Sequence, residues 1–96
     1  MDPKGRTGYR DLIDARIAEW EKNIQNLEHR LAKKDDPDAR EKVAMMKARL
    51  PQLAEKSRII MDVPDEKWPN YKSETDLVLE NLEWLQGYVM RRIGAA

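Results

Sequence analysis

The chain has 96 residues, 38% of them charged and only 41% apolar, and eighteen Lys and Arg cancel eighteen Asp and Glu. That length and a mean hydropathy of -0.85 suit a single domain built on narrow apolar seams between helices, with no room for a second core. Zero net charge argues against a dedicated nucleic-acid binder, which needs a basic excess to displace counterions, and the lack of cysteine excludes disulfides and thiolate chemistry.

The first residues, Met1 to Arg6, carry no apolar stretch of the kind a secretory signal needs, and no apolar run approaches the length of a bilayer span. A cytoplasmic location is the expectation. Between Gly8 and Gly87 the chain has no glycine, and turn residues gather only at Lys34-Asp35-Asp36-Pro37 and between Asp62 and Asn70. Two breaks predict three segments, all helical, over about 8–34, 37–61 and 68–93.

In the first segment Ile13, Ile17, Trp20, Ile24, Leu27 and Leu31 recur at alternating steps of four and three, a heptad seam on an otherwise polar helix. Thr7 is the expected N-cap. The second segment opens with Asp36-Pro37, a capping carboxylate followed by a proline at the first helical position, where its missing N–H has no helical partner. Ala39, Val43, Met46, Leu50, Leu53, Ser57 and Ile60 then form a second seam that continues through Pro51, so one bent helix is expected. Folding back at the acidic corner sets Leu31 against Ala39, Leu27 against Val43, Trp20 against Leu50 and Ile13 against Ser57. An antiparallel hairpin follows.

The third segment carries Trp68, Tyr71, Thr75, Val78, Leu82, Leu85 and Val89 at the same alternation, widened by Leu79, Tyr88 and Ile93. A stripe this wide can touch two neighbours. Its start lies between Glu66 and Ser73, where Ser73 and Asp76 offer a second capping pair. The predicted fold class is all-α: an antiparallel coiled-coil helical hairpin completed by a third amphipathic helix into a three-helix bundle.

Residues for chemistry are sparse. His29 is the sole histidine and falls on the solvated side of its seam, without the Glu-x-x-His pairing of a di-metal helical site. Ser57 and Thr75 occupy seam positions without a histidine in helical reach, and there is no Gly-rich phosphate loop. Carboxylates such as Glu19 have basic neighbours at helical spacing, here Lys22, as solvated helix faces do. The pairs Lys33-Lys34 and Arg91-Arg92 each end a helix, where cations offset the dipole. No catalytic, metal or cofactor residues are assigned.

Beside those basic pairs, apolar residues beyond the seams are the second sign of binding, with Met45, Met61 and Met90 flexible enough to suit an adaptable contact surface. Met45 and Met61 extend the second seam, Leu77 and Trp84 sit off the third, and Tyr88 lies at its edge; these five form the candidate interaction surface.

One likeness carries further. Tyr9, then Ile17-Ala18-Glu19-Trp20-Glu21-Lys22-Asn23-Ile24-Gln25-Asn26-Leu27, then Trp68-Pro69-Asn70-Tyr71-Lys72 resemble the pattern of a group of small bacterial coiled-coil proteins. Those proteins place an early tyrosine before a Leu-x-x-Trp-x-x-x-Ile-x-x-Leu helix and open a third helix with Trp, two residues, a leucine or aromatic, and Lys. Pro51 and Pro69 depart from that pattern. Many members are described as stress-response proteins of undefined activity, so the resemblance implies a stress-associated role and supplies no active site. The functional expectation is a non-enzymatic helical protein-interaction module, its partner a second copy in a homodimer or another protein. The alternative is an amphipathic protein lying on a membrane or lipid surface, which a neutral chain serves poorly.

Overall fold

The computed structural model describes residues 5–93 and shows three long helices in series: α1 (Arg6–Leu31), α2 (Pro37–Ile59) and α3 (Trp68–Ile93). Two single 3-10 turns, Ile60–Asp62 and Asp65–Lys67, make the connection from α2 to α3, and no strand occurs among the described residues. The three helices pack side by side in a rod measuring 49 × 20 × 19 Å. The fold is an all-α three-helix bundle.

The helix ends differ from the sequence expectation in three places. Thr7 is not the cap: α1 begins two residues earlier, and Gly5 takes the N-cap with a left-handed φ of 69°, which a residue with a Cβ adopts only at a cost. Gly8 accordingly lies inside the helix. At the other end α1 stops at Leu31 rather than Lys34, and the chain returns within five residues. Helix α2 ends at Ile59, and the last residues expected in it form a 3-10 turn.

Asp36 and Pro37 behave as the sequence predicts. The Asp36 carboxylate accepts a bond from the Ala39 N–H at 3.1 Å, and Pro37 occupies the first turn. Helix α2 runs through Pro51 without ending. At α3 the start is Trp68, so Ser73 and Asp76 lie inside the helix and cap nothing.

The register is legible in cross-helix bonds. Ser57 donates to the Asp14 carboxylate, and Lys47 pairs with Glu28 at 3.0 Å, which sets α1 and α2 antiparallel with Ile13 level with Ser57. Helix α3 returns antiparallel to α2: Arg49 donates to Asn81 at 3.0 Å, and Lys56 pairs with Glu74 at 3.4 Å. It therefore runs parallel to α1, where Arg30 reaches the Met90 sulfur at 3.5 Å.

The seams become the core. Ile13, Leu27, Met46, Leu53, Ile60, Leu82, Leu85 and Val89 are fully buried, and Trp20 is only 4% exposed. Apolar burial of this kind is the main stabilising term, roughly 1.5–3 kcal/mol for each fully covered side chain. Thr75 is buried by bonding back to the Tyr71 carbonyl at 2.9 Å within its own helix. The Trp20 indole N–H is the one buried side-chain donor or acceptor among the described residues that finds no partner.

One end of the rod is clasped by residues far apart in sequence. The Arg6 side chain is buried and donates to the carbonyls of Ile60 (3.2 Å) and Val63 and to the Asp65 carboxylate (2.7 Å). Its guanidinium carbon lies 4.9 Å from the centre of the Trp68 ring. Trp68 meets Tyr9 edge-on at 5.7 Å and stacks on Tyr71 at 6.2 Å. The Tyr9 hydroxyl donates to Asp76, and the Tyr71 hydroxyl donates to the Lys56 carbonyl at 2.6 Å. Lys72 and Lys56 cover the faces of Tyr9 and Tyr71 at 5.0 and 4.5 Å. Together these contacts hold the start of α1 against the α2–α3 connection.

Candidate interaction surface

Packing consumes the inward stripe of each helix and leaves the flank of α3 that faces away from α1 open. Leu77 is 63% exposed and Trp84 56% exposed, the largest values among the big apolar side chains described. They lie seven residues apart, two turns along one face. Tyr88, one turn beyond Trp84, lies beside it with ring centres 5.7 Å apart and the rings tilted by 32°.

Tyr88 is half-buried because it leans toward α2 and donates its hydroxyl to Asp38. Lys42 and Arg92 approach its ring at 5.3 and 5.8 Å. Arg92 also makes a forked pair with Asp36 at 2.9 and 3.1 Å, which ties the end of α3 to the hairpin corner. The Arg92 guanidinium first, and the Ala39 N–H second, hold the Asp36 carboxyl below the usual range, and the Tyr88 hydroxyl does the same for Asp38. The Tyr88 phenol is pushed up by that same bond to Asp38.

Two polar ties thus bracket the surface. Asp38–Tyr88 stands on one side and Arg49–Asn81 on the other, and the register between them places Met45 of α2 level with Trp84. Met45 is half-buried there, packed against the core. Four of the five candidate residues therefore share one region: Met45, Leu77, Trp84 and Tyr88.

Met61 does not belong to it. It is 48% exposed, but it sits in the 3-10 turn at the clasped end, and Trp84 lies roughly 24 Å further along α3 than its first residue. The reason is topological: Met61 follows α2 where α3 is only starting. Beside it, Ile59, Val63, Pro64 and Tyr71, with Asp62, Lys67, Asn70 and Glu74, line an open depression of about 510 Å³.

Met90, singled out with Met45 and Met61 for its flexible side chain, is 37% exposed, and sequence reasoning missed one exposed apolar position, Leu12 at 43%. Leu12 lies one residue off a seam position, and that adjacency was the only available signal. It also missed Gly87, a helix-interior glycine one turn from Trp84, above which an added Cβ would meet nothing nearer than the Arg91 guanidinium at 3.9 Å.

His29 is exposed near the end of α1, and its carbonyl, not its ring, takes part in the turn by accepting from the Ala32 N–H. Glu19 pairs with Arg16 at 3.2 Å rather than with Lys22. Among the described residues no three His, Asp or Glu side chains gather as a metal site would require, and no helix is long and apolar enough to cross a membrane. The chain matches no protein-family model, no curated protein and no solved structure.

Proposed function

We propose that this protein is a non-enzymatic helical interaction module that docks through the outer flank of α3. The observation that carries the reading is the exposure of Leu77 and Trp84 on a bundle whose remaining seams are closed. A half-exposed tryptophan beside a tyrosine is the kind of rigid anchor that contributes most at protein interfaces. The polar ties on either side fix its position before any partner arrives, which lowers the entropy cost of docking. The likeness of Tyr9, Trp20 and Trp68-Pro69-Asn70-Tyr71-Lys72 to small bacterial coiled-coil proteins is the support for placing this binding in a stress response. A lipid surface is less favoured, because the broad apolar face of each helix is turned toward the other two.

The test is capture with the intact chain as bait, comparing the wild type with Trp84→Ala and with His29→Ala. Loss of a bound protein on the Trp84 change alone supports the reading. Equal capture by all three baits, or flotation of the wild type with anionic vesicles, refutes it.

A further inference from the structure

The outer face of α3 carries a second heptad stripe: Ser73, Leu77, Glu80, Trp84, Gly87 and Arg91 follow at steps of four, three, four, three and four. It lies opposite the core stripe, and all its members are exposed except half-buried Gly87. Two features set it apart from an ordinary solvated face. Glu80 and Arg91 make no hydrogen bond or ion pair within the chain, judged over the described residues. Trp84 is a knob and Gly87 a notch, where an added Cβ would meet only the flexible end of the Arg91 side chain, at 3.9 Å.

We infer that this stripe binds a second copy of the same chain, α3 against α3, in antiparallel two-fold register. The inference rests on the interaction reading above and names its partner. A two-fold interface must be complementary to itself, so each residue and its counterpart exchange places across the axis. In an antiparallel pair the numbers of facing residues share a constant sum. The register that lays Trp84 into the notch at the partner's Gly87 also sets Glu80 opposite the partner's Arg91. Symmetry repeats both contacts. A parallel pairing instead sets Glu80 against Glu80 and Arg91 against Arg91.

Leu77 then lies one turn beyond Glu80, beside the aliphatic stem of the partner's Arg91. Glycine in a helix interior is costly for the isolated helix, and close approach of another helix gives it a use. The paired stretch from Glu80 to Arg91 covers roughly 17 Å of helix, well short of the about 1,200 Å² that stable complexes bury. The dimer is therefore reversible and forms at high protein concentration.

Sedimentation equilibrium over a concentration series at low and high salt tests this on the full chain. The expected result is a monomer–dimer equilibrium weakened by salt. Glu80→Arg and Arg91→Glu should each weaken the dimer about tenfold or more, and the double exchange should restore it. Gly87→Leu should abolish the dimer without lowering the melting temperature, which separates loss of contact from loss of fold. A monomer at every concentration overturns the inference, as does a dimer indifferent to Gly87 or a double exchange that fails to rescue. If the chain stays monomeric while Trp84→Ala still loses a captured protein, the interaction reading stands and only the self-pairing falls.

Discussion

The guanidinium of Arg6 lies over the indole of Trp68, its carbon 4.9 Å from the ring centre, and joins the first turn of α1 to the first turn of α3. The same group donates to the carbonyls of Ile60 and Val63, in the 3-10 turn that follows α2 and just beyond it. The start of α1, the connection after α2 and the start of α3 therefore meet at one charged side chain. Arg6→Ala should cost about 2–3 kcal/mol, because it leaves two carbonyls of a tight connection without their donor. For a chain this short the melting temperature should fall by about 10 °C or more. Asp65→Ala should cost less than about 1 kcal/mol, since Asp65 is 76% exposed and water replaces its partner. Equal losses for the two variants would show that the ion pair, not the carbonyl bonds, supplies the clasp.

Alkaline pH tests the same end of the rod. Burial first, and the bond to Asp76 second, raise the Tyr9 phenol well above the ordinary tyrosine range, and burial raises Tyr71. The folded chain keeps protons that the unfolded chain releases near pH ~10, so this contribution is complete below that value and declines as pH rises above it. Denaturant titrations between neutral pH and pH ~11 should show a steeper loss for the wild type than for Tyr9→Phe. Parallel curves would remove Tyr9 from the account.

Acid acts on the opposite end. Asp36 and Asp38 have lowered carboxyl pKa values, so they stabilise the fold above the unfolded carboxylate value of ~3.9 and lose that effect as pH falls through their folded values. Asp36→Asn should melt several degrees below the wild type at neutral pH, and the gap should close in strong acid. A gap that persists at pH ~2 would mean that the charge of Asp36 does not account for the difference, since asparagine keeps an oxygen that can accept the capping bond.

Trp20 separates packing from hydrogen bonding. Its ring is buried in the core while its N–H has no partner, so the donor contributes a desolvation cost and no bond. Trp20→Phe should therefore cost less than about 1.5 kcal/mol, whereas Trp20→Ala should cost about 3–5 kcal/mol through the cavity it leaves. Calorimetry of the pair decides it; similar losses would point to a water or a relaxed carbonyl that meets the N–H.

Gly87 offers a stabilising change. A Cβ there meets only the Arg91 guanidinium at 3.9 Å, so Gly87→Ala should raise stability by about 0.5–1 kcal/mol through helix propensity. A fall in melting temperature at low protein concentration would contradict this.

Periodicity and turn chemistry are local properties, and together they determined the three helices, their inward stripes and the antiparallel corner capped by Asp36. Each step of three or four residues returns to one face whatever the rest of the chain does, so Ile13, Met46 and Leu82 announced their burial in advance. Tertiary structure decided what no window of sequence contains: that Arg6 crosses to Val63 and Trp68, that Tyr9 finds Asp76, and that Tyr88 leans on Asp38. Those partners are separated by most of the chain, and they meet only after the helices choose an order of packing. The same choice divided the five candidate surface residues, leaving Met61 at the clasped end and Trp84 on the open flank, because which side of α3 met α2 depended on the whole rod.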